Sequence, residues 1–525
     1  MSDKNRIRTR TVRFERLENR EMMSGMTASL SPLGVLSIKG TAAAETISLR
    51  QQNNQVTIDN VSGAFAVKSI KSISIAGGGG NDTIRLTGLA AAGSAQLKVP
   101  ITITSVGGND VLQLANGQDI YFAGLGNIVA VDAAGNATIN GQKANWFDET
   151  IQSADIRILA KSDFSDGVIS RTEMLGVLRQ VEKDGALTSV EMTDLQSLVK
   201  NASLFSGVAY VQTLAGDIVL GNVANAHYLG GALGNLTVGS SAAQLEKLVD
   251  KWFLGADHPL GNSAWGPTYS YQTASGKLFA HAPVYTDVCQ GGIGDCYFLS
   301  SLAETALREP TVITNMFIVN GDGTYTVKMY DNGKPDYVTV DSQLPADVYG
   351  RFVFANMGQY LKSSSNTLWV ALAEKAYVQF NEEGWTRSFK LPGYSQTITL
   401  YGSGQNAYGG ANAGINGGYI GVALSQITGR AETVFASTGG STSFTAFAQA
   451  FQSGCLMGMA SFSSPNSASV VGGHAYAVLS VDAKAKTVTL YNPWGINNGS
   501  QYPGIVTLTW APIQTNFAYS DFVAA

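Results

Sequence analysis

The chain has 525 residues, which at roughly 150 residues per domain predicts about three or four domains. Its hydrophobic content of 45% supplies large cores and excludes a disordered chain, while 34 basic against 39 acidic residues, a net charge of −5, argue against a nucleic-acid binder. Only 14% of residues are charged, and 59 are glycine. Three cysteines are too few for a disulfide framework. The sequence lacks a run of about 18 apolar residues, so it does not predict a transmembrane helix.

Residues 1–26 are predicted to form a basic N-terminal export segment. The first 20 residues contain six arginines and one lysine. A secretory signal peptide would follow such charge with about 7–15 apolar residues, and the stretch from Val12 to Glu18 does not do so. Residues 14–24 resemble a short motif on exported proteins of some environmental bacteria, although Met22 and Met23 stand where leucines are usual. The resemblance implies an extracellular or cell-surface location, and a solvated basic tail is the alternative.

Residues 27–147 are predicted to form a β-rich repeat domain, either a solenoid or a sandwich. Aliphatic and polar residues alternate and are interrupted by Gly, Asn and Asp, a pattern typical of short strands and tight turns. Three segments look alike, at residues 44–49, 81–86 and 109–114. Their acidic residues are 37 and 28 positions apart, so the repeat is irregular. We expect this domain to space the protein or attach it to the cell surface.

The segment from Gly77 to Ile84 matches the calcium-binding nonapeptide of parallel β-rolls. The second copy keeps only Gly108 and Asp110 of this pattern. Calcium in a β-roll needs ligands from successive turns, and neither spacing is a multiple of nine. The sequence therefore favours a glycine-rich turn capped by Asp, with calcium binding as the alternative.

Residues 148–205 are predicted to be a helical segment, followed by a linker or pro-segment at 206–249. Two loops, at 166–173 and 184–191, resemble the second half of an EF-hand loop, with Asp, Gly, an aliphatic residue, a hydroxyl and Glu. The first halves do not match, because positions one and three hold Ser162 and Phe164 in one loop and Gln180 and Glu182 in the other. This pattern predicts a degenerate EF-like hairpin without metal.

Residues 250–525 carry the residue types of thiol catalysis. Cys296 follows a glycine-rich stretch and precedes helix formers, so it is predicted at a helix N-terminus, where the dipole and free N–H groups stabilise a thiolate. His474 starts an apolar strand after two glycines, and Asn492 ends the next strand, so a hairpin would bring the two together. A lone Cys is usually a small buried residue. The set Gln290, Cys296, His474 and Asn492 is far more specific.

These segments together resemble the calpain family of papain-like cysteine proteases (C2-type), in particular bacterial calpain-like proteins. The resemblance is carried by residues 290–296, 473–476 and 492–495 and by a fourth block at 368–377, all in family order. It implies a papain-like two-lobed protease core over residues 250–525. The fold expected for the whole chain is therefore multidomain α+β.

The resemblance also implies a role for each residue. Cys296 would attack a peptide carbonyl as a thiolate paired with the His474 imidazolium, which would protonate the leaving amine and later activate water. Asn492 would orient the imidazole, and Gln290 would stabilise the oxyanion together with the Cys296 N–H. Trp494 would shield the His–Asn pair from water.

Calcium is expected as an accessory ligand that the peptide-bond chemistry itself does not require. Calpain cores bind calcium, and Asp287 occupies the position of one family ligand. The acidic partner of this ligand would fall near Trp385, with Glu382 and Glu383 displaced by a few positions. The family's Trp-rich segment after Gly495 is also replaced.

The sequence therefore predicts a secreted or surface-held, calpain-like endopeptidase that cuts protein or peptide substrates by limited proteolysis. One alternative is a surface-binding protein with an inactive protease-like module, against which the complete catalytic set counts. Another is a transglutaminase-type thiol acyltransferase, which usually has Asp where this chain has Asn492. Cys289 and Cys455 are weaker candidates for the nucleophile.

Overall fold

The structure of the protein is a computed structural model that describes residues 25–90, 97–124, 126–183, 185–262, 268–390, 397–409, 414–435, 444–497 and 499–524. Nearly all of the predicted export segment, residues 1–24, lies outside these ranges. The chain divides into two compact units, Met1–Ser162 and Asp163–Ala525. No helix in the described ranges is long and apolar enough to cross a membrane.

The first unit is built from short strands that precede two helices. The strands are β1 (Thr27–Leu30), β2 (Val35–Lys39), β3 (Thr46–Gln52), β4 (Gln55–Ile58), β5 (Phe65–Ala66), β6 (Ser72–Ala76), β7 (Thr83–Arg85), β8 (Ile101–Thr104), β9 (Asn109–Gln113), β10 (Asp119–Ala123), β11 (Ile128–Val131), β12 (Ala137–Ile139) and β13 (Gln142–Lys143). The helices are α1 (Trp146–Thr150) and α2 (Ala154–Asp163), the second of which ends at the boundary between the units.

The strands of the first unit form two sheets, each with a parallel centre. The sheet orders are β1-β2-β6-β8-β11-β12-β13 and β10-β9-β7-β3-β4-β5. The strands β2, β6 and β8 run parallel, as do β3, β7 and β9. The three look-alike segments lie side by side, with Ile47 in register with Ile84, and Ile84 with Leu112. Alternate residues of a strand face the same side, so these aliphatic side chains belong to one buried hydrophobic cluster to which both sheets contribute.

The second unit contains the remaining elements. Its helices are α3 (Arg171–Glu182), α4 (Ser189–Lys200), α5 (Ala209–Val219), α6 (Ala242–Trp252), α7 (Cys296–Arg308), α8 (Pro310–Asn315), α9 (Trp369–Glu382), α10 (Ile420–Thr428), α11 (Phe444–Gln452) and α12 (Trp510–Asn516). Its strands are β14 (His227–Tyr228), β15 (Gly231–Ala232), β16 (Ser270–Thr273), β17 (Phe317–Val319), β18 (Thr324–Asp331), β19 (Lys334–Asp341), β20 (Gln343–Ala346), β21 (Thr386–Lys390), β22 (Thr397–Tyr401), β23 (Glu432–Phe435), β24 (Leu456–Ser461), β25 (Ala475–Asp482), β26 (Thr487–Tyr491), β27 (Ile505–Thr509) and β28 (Phe517–Val523).

Ser170 and Thr188 cap the starts of α3 and α4. Their hydroxyls accept from the backbone N–H groups of Glu173 and Glu191, at 3.4 and 3.2 Å. The two Glu carboxylates accept in return from the backbone N–H groups of the capping residues, at 2.7 and 2.8 Å. The hydroxyl and Glu that resemble half of an EF-hand loop thus form capping boxes. Asp184, which begins the second of these loops, lies outside the described residues.

Ionic contacts tie the helices α3 and α6 to the rest of the second unit. The Lys251 ammonium, near the end of α6, is fully buried and contacts Asp257 and, at 2.8 Å, Glu382 of α9. The Arg171 guanidinium at the start of α3 lies 2.8 Å from the Asp322 carboxylate. Removing one partner of a buried ion pair is strongly destabilising, so the Lys251 contacts couple the folding of α6 to that of α9, whereas the Arg171 pair contributes less because the Asp322 side chain is 37% exposed.

The helix α7, which begins at Cys296, runs through the centre of the second unit. Its ring of Phe298 stacks on Tyr377 of α9 with centroids 3.9 Å apart. On another side α7 packs against β24 and β25 of a six-stranded sheet with the order β23-β28-β24-β25-β26-β27. The start of α7 therefore lies near the strand that follows His474. The multidomain α+β organisation predicted from the sequence is confirmed.

Candidate active site

A glycine-rich loop delivers Cys296 to the start of α7. A side chain at Gly291 would place its Cβ 2.2 Å from the Phe354 carbonyl oxygen, and one at Gly294 would meet the Asn416 amide oxygen at 2.3 Å. The Asn416 oxygen accepts the Gly294 N–H at 3.0 Å. Glycine is therefore required here for close approach of the neighbouring loops, and the predicted position of Cys296 at a helix N-terminus is the one observed.

His474 lies immediately before β25 and is held by its backbone. Its N–H donates to the Ser461 hydroxyl at 2.9 Å, and its carbonyl accepts the Ser461 N–H at 2.9 Å. The imidazole is buried, with a ring 5.1 Å from that of Trp494. These contacts fix the imidazole against the sheet and place an indole beside it.

Asn492 selects the tautomer of His474. Its amide oxygen lies 2.9 Å from His474 Nε2 and also accepts the Trp494 N–H at 3.1 Å. An amide oxygen can only accept hydrogen bonds, so the proton of the neutral imidazole is assigned to Nε2. The other ring nitrogen, Nδ1, is then a free base. The pairing of His474 with Asn492 that the hairpin predicts is present.

One cleft of about 690 Å³ contains the other predicted residues. Gln290, Cys296, His474 and Trp494 all line it, and its remaining walls come mainly from glycine-rich segments around residues 291–294, 416–418 and 471–473. Cys289 instead lies beside the loop that follows Asn492, with its sulfur 3.5 Å from the Trp494 carbonyl. Cys455 is buried in a separate apolar cluster. Of the three cysteines, Cys296 is the one that lines the cleft with an imidazole.

Burial shifts the pKa values of both reacting groups toward their neutral forms. It raises the pKa of the Cys296 thiol to about 11, an effect that a hydrogen bond from the Ala475 N–H only partly opposes. It lowers the pKa of the His474 imidazole to about 4, against a smaller opposing effect of Asn492. A helix N-terminus stabilises a negative charge by about 0.3–1 kcal/mol, up to about 2, which is less than the desolvation cost. Burial thus opposes the thiolate and imidazolium that the sequence predicts, and their pairing stays a prediction.

Gln290 is buried at the edge of the cleft. One N–H of its side-chain amide donates to the Ile293 carbonyl at 2.7 Å, and its amide oxygen has no hydrogen-bond partner within the described part of the chain. A primary amide has two N–H donors, so one donor is not used by Ile293. The residue is in the right neighbourhood for an oxyanion donor, and that role stays a prediction.

A buried carboxyl pair directly behind the nucleophile is absent from the sequence-based predictions. Asp295 precedes Cys296, and Glu374 lies on α9; both side chains are buried. Burial and the Asp295 charge raise the pKa of Glu374 well above its usual value, and burial also raises the pKa of Asp295 to about 7, so the two carboxyls hold at least one proton between them near neutral pH. Glu374 also accepts the Ala355 N–H at 3.0 Å. A hydrogen bond from the Gln290 side chain partly opposes the raised pKa of Asp295. The only sequence signal is the adjacency of Asp295 to Cys296.

Asp287 takes part in contacts that do not need a cation. Its carboxylate accepts from the Trp369 indole N–H at 2.8 Å and the Val284 N–H at 3.2 Å, and lies 3.4 Å from His281 Nε2. The acidic residues expected to join it are engaged elsewhere, since Glu382 contacts Lys251 and Glu383 accepts from Asn222. Within the described ranges, no group of three or more His, Cys, Asp or Glu side chains is placed to hold a metal ion. Calcium at Asp287 stays a prediction, and no chemical step below uses it.

Residues 259–385 match the model of the calpain family of cysteine proteases. The chain carries a calpain-family domain. It is 29% identical over 226 residues to the calpain-type cysteine protease DEK1 of Zea mays, covering 41% of this chain and 9% of that protein. It is 33% identical over 101 residues to human Calpain-8, covering 18% of this chain and 14% of that protein.

A third relative is the Calpain-1 catalytic subunit of Mus musculus, which is 28% identical over 150 residues, 25% of this chain and 20% of that protein. The chain therefore spans only a small part of the curated calpains that it matches. The family match contains Gln290, Cys296 and Glu374 and ends before His474. The link between the calpain match and the His–Asn pair is the shared cleft.

Proposed function

We propose that the chain is a cysteine endopeptidase that hydrolyses peptide bonds with Cys296, His474, Asn492 and Gln290. The observation that carries the proposal is the 2.9 Å bond between His474 Nε2 and Asn492, at the wall of the cleft into which α7 delivers Cys296. A nucleophile, a base and a group that orients the base are the components of covalent acyl transfer.

The shift of both groups toward their neutral forms favours attack with concerted proton transfer. As the Cys296 sulfur bonds to the substrate carbonyl carbon, its proton passes to His474 Nδ1, which is free because Nε2 donates to Asn492. The resulting imidazolium gives this proton to the departing amine when the C–N bond breaks. Water then attacks the thioester, again with His474 as base, releasing the carboxylic acid and restoring the thiol.

The oxyanion of each tetrahedral intermediate needs donors at the start of α7. The Cys296 backbone N–H and an N–H of the Gln290 amide, released from the Ile293 carbonyl when substrate binds, are the donors that this proposal assigns. Losing one such donor typically lowers kcat by about 10²–10³. The buried pair of Asp295 and Glu374 would position both donors, because Asp295 adjoins Cys296 and interacts with Gln290.

The cleft favours an extended peptide as substrate. Its walls contain glycines whose backbone is accessible, including Gly417, Gly418 and Gly472, and backbone groups bind extended chains in a sequence-tolerant way. We further propose limited proteolysis of proteins, calcium as an accessory activator, and a secreted or surface-attached enzyme in which the first unit is a solenoid-like spacer. The stacked parallel strands of that unit support the last point.

Cleavage of casein by purified full-length protein tests the catalytic assignment. Wild type, Cys296→Ala, His474→Ala and Cys289→Ala would be compared with calcium and with chelator. We expect the Cys296 and His474 variants to fall to background and Cys289→Ala to retain activity. Equal cleavage by wild type and Cys296→Ala would refute the assignment. Indifference to chelator would remove only calcium control, and incorporation of a labelled amine in place of hydrolysis would favour the acyltransferase.

A further inference from the structure

Three turns in the first unit lie one above another, and we call them the turn stack. They are residues 40–45, 77–82 and 105–110, which lead from β2 to β3, from β6 to β7 and from β8 to β9. The Gly79 N–H donates to the Thr41 carbonyl at 2.9 Å, and the Val106 N–H donates to the Gly78 carbonyl at 2.8 Å. A Cβ at Gly78 would lie 1.7 Å from the Thr41 oxygen. Only glycine allows the turns to approach this closely.

Each turn of the stack ends in a carboxylate, at Glu45, Asp82 and Asp110. One oxygen of Asp82 accepts the Glu45 N–H at 3.0 Å, and one oxygen of Asp110 accepts the Asp82 N–H at 2.8 Å. The second oxygens, Asp82 Oδ2 and Asp110 Oδ2, are buried; Asp82 Oδ2 has no hydrogen-bond partner among the described residues, whereas the Ser105 hydroxyl interacts with the Asp110 carboxylate. Asp82 and Asp110 are only 1% exposed. A buried carboxylate oxygen without a donor or cation is costly, so Asp82 Oδ2 in particular lacks a ligand that it needs.

The three turns differ in how they treat their carboxylates. Glu45 is satisfied within its own turn, since it accepts from the Thr41 N–H at 2.8 Å and the Thr41 hydroxyl at 2.5 Å. In the middle turn, Asp82 Oδ2 points across the turn at Gly77, where a Cβ would lie 2.7 Å from it. The equivalent position of the third turn holds Ser105, whose hydroxyl lies 3.0 Å from both the Gly78 and the Gly107 carbonyls. The middle turn is therefore the one in which no described side chain occupies the space beside the carboxylate.

No cationic side chain in the described ranges is paired with the carboxylates of the turn stack. The ion pairs found in the described part of this unit involve other residues.

We propose that the turn stack binds a calcium ion between the turns 77–82 and 105–110, with ligands from Asp82 Oδ2, Asp110 Oδ2 and backbone carbonyls of the glycine-rich turns. Calcium takes six to eight oxygen ligands and accepts backbone carbonyls among them. Because such a site needs only two carboxylates, it is compatible with the lack of any metal-holding group of three acidic, His or Cys side chains in the described ranges. The sequence of the middle turn keeps the Gly-Gly-x-Gly-x-Asp signature of calcium-binding turns. The spacing in the sequence does not predict a second turn beside it, but the parallel register of β3, β7 and β9 places one there.

Calcium binding to the full chain tests this site independently of proteolysis. Apo protein in a Cys296→Ala background would be titrated with CaCl₂ by calorimetry, alongside Asp82→Asn, Asp110→Asn and the control Asp59→Asn, an exposed residue of the same unit that pairs with Arg50. Asparagine keeps the oxygen that accepts the neighbouring N–H but loses the charge. We expect Asp82→Asn and Asp110→Asn to lose one calcium equivalent or bind it at least tenfold more weakly, and Asp59→Asn to match the parent.

Two further variants keep the proposal falsifiable. Gly77→Ser copies Ser105 and fills the space beside Asp82 Oδ2, so we expect it to lose the same calcium equivalent even if Asp82→Asn fails to fold by circular dichroism. Asp287→Asn separates a calcium ion in the second unit and should retain the turn-stack equivalent. Unchanged stoichiometry and affinity in Gly77→Ser and the folded Asp variants would overturn the proposal, as would a parent that binds no calcium at 1 mM, a concentration at which extracellular modules bind calcium.

Discussion

Replacement of Glu374 tests how much the buried carboxyl pair behind Cys296 contributes to the free energy of unfolding. Glu374→Ala removes the hydrogen-bond partner of Asp295 and the acceptor of the Ala355 N–H, and leaves a buried carboxyl alone. A hydrogen bond to a charged group contributes about 1.5–3 kcal/mol, so we expect a loss of that size in the free energy of unfolding of Glu374→Ala. Glu374→Gln keeps an N–H donor and an acceptor oxygen of the same shape and should cost about 1 kcal/mol or less.

Equilibrium urea unfolding of both variants in a Cys296→Ala background provides the assay. Wild-type Glu374 has a raised pKa in the folded state, so its protonated form adds stability that is full below pH about 4.5 and declines as the pH rises. The stability of Glu374→Gln relative to the parent should therefore improve from pH 5 to pH 8. Equal destabilisation by Gln and Ala, or a relative stability independent of pH, would refute a pair held by a shared proton.

Three further predictions concern the ionic contact of α6, the base and its orienting group. Lys251→Met should lower the free energy of unfolding by about 3–5 kcal/mol, because it leaves the buried Asp257 and Glu382 carboxylates without their cation. The control Lys247→Met, on the exposed face of α6, should change this free energy by about 0.5 kcal/mol or less. Similar losses for the two variants in urea unfolding would contradict the buried network. Asn492→Ala should reduce kcat about tenfold or more with KM little changed, since the tautomer is no longer fixed, and steady-state kinetics showing a pure KM effect would count against this role. Burial lowers the pKa of His474 to about 4. The free energy of unfolding should therefore be about 3 kcal/mol higher above pH 6.5 than near pH 4, where the buried imidazole becomes charged. His474→Gln should lack this pH-dependent component, and identical pH profiles of the variant and the parent would disprove the burial effect.

Short-range patterns predict the elements of this chain better than they predict its electrostatics. Period-two alternation is enough to place Ile47 and Ile84 in strands, because a strand always turns alternate residues to one side. The glycines before Cys296 and His474 mark close backbone approach for a similarly local reason. The protonation of these two residues depends on the total burial that distant elements provide, and this burial opposes the helix-terminus effect on which the sequence-based prediction rests.

Partners far apart in the chain account for most of what the sequence does not predict. Asp295 meets Glu374 only because α7 and α9 pack together. The Ser170 and Thr188 segments show the opposite case, in which a local pattern has two meanings. A hydroxyl followed by Glu after three positions suits both a calcium loop and a capping box, and the hydrogen bonds distinguish them.

The buried Lys251 has a consequence for where the protease can be separated from its neighbours. The family match starts at residue 259, and the sequence-based boundary lies at residue 250, on either side of this lysine. A fragment starting at 259 would retain Glu382 in its interior without the ammonium that neutralises it, and would expose the surface that α5 and α6 cover on β19. The smallest piece of the second unit able to fold stably should therefore begin before α3, because these helices are an integral part of that unit.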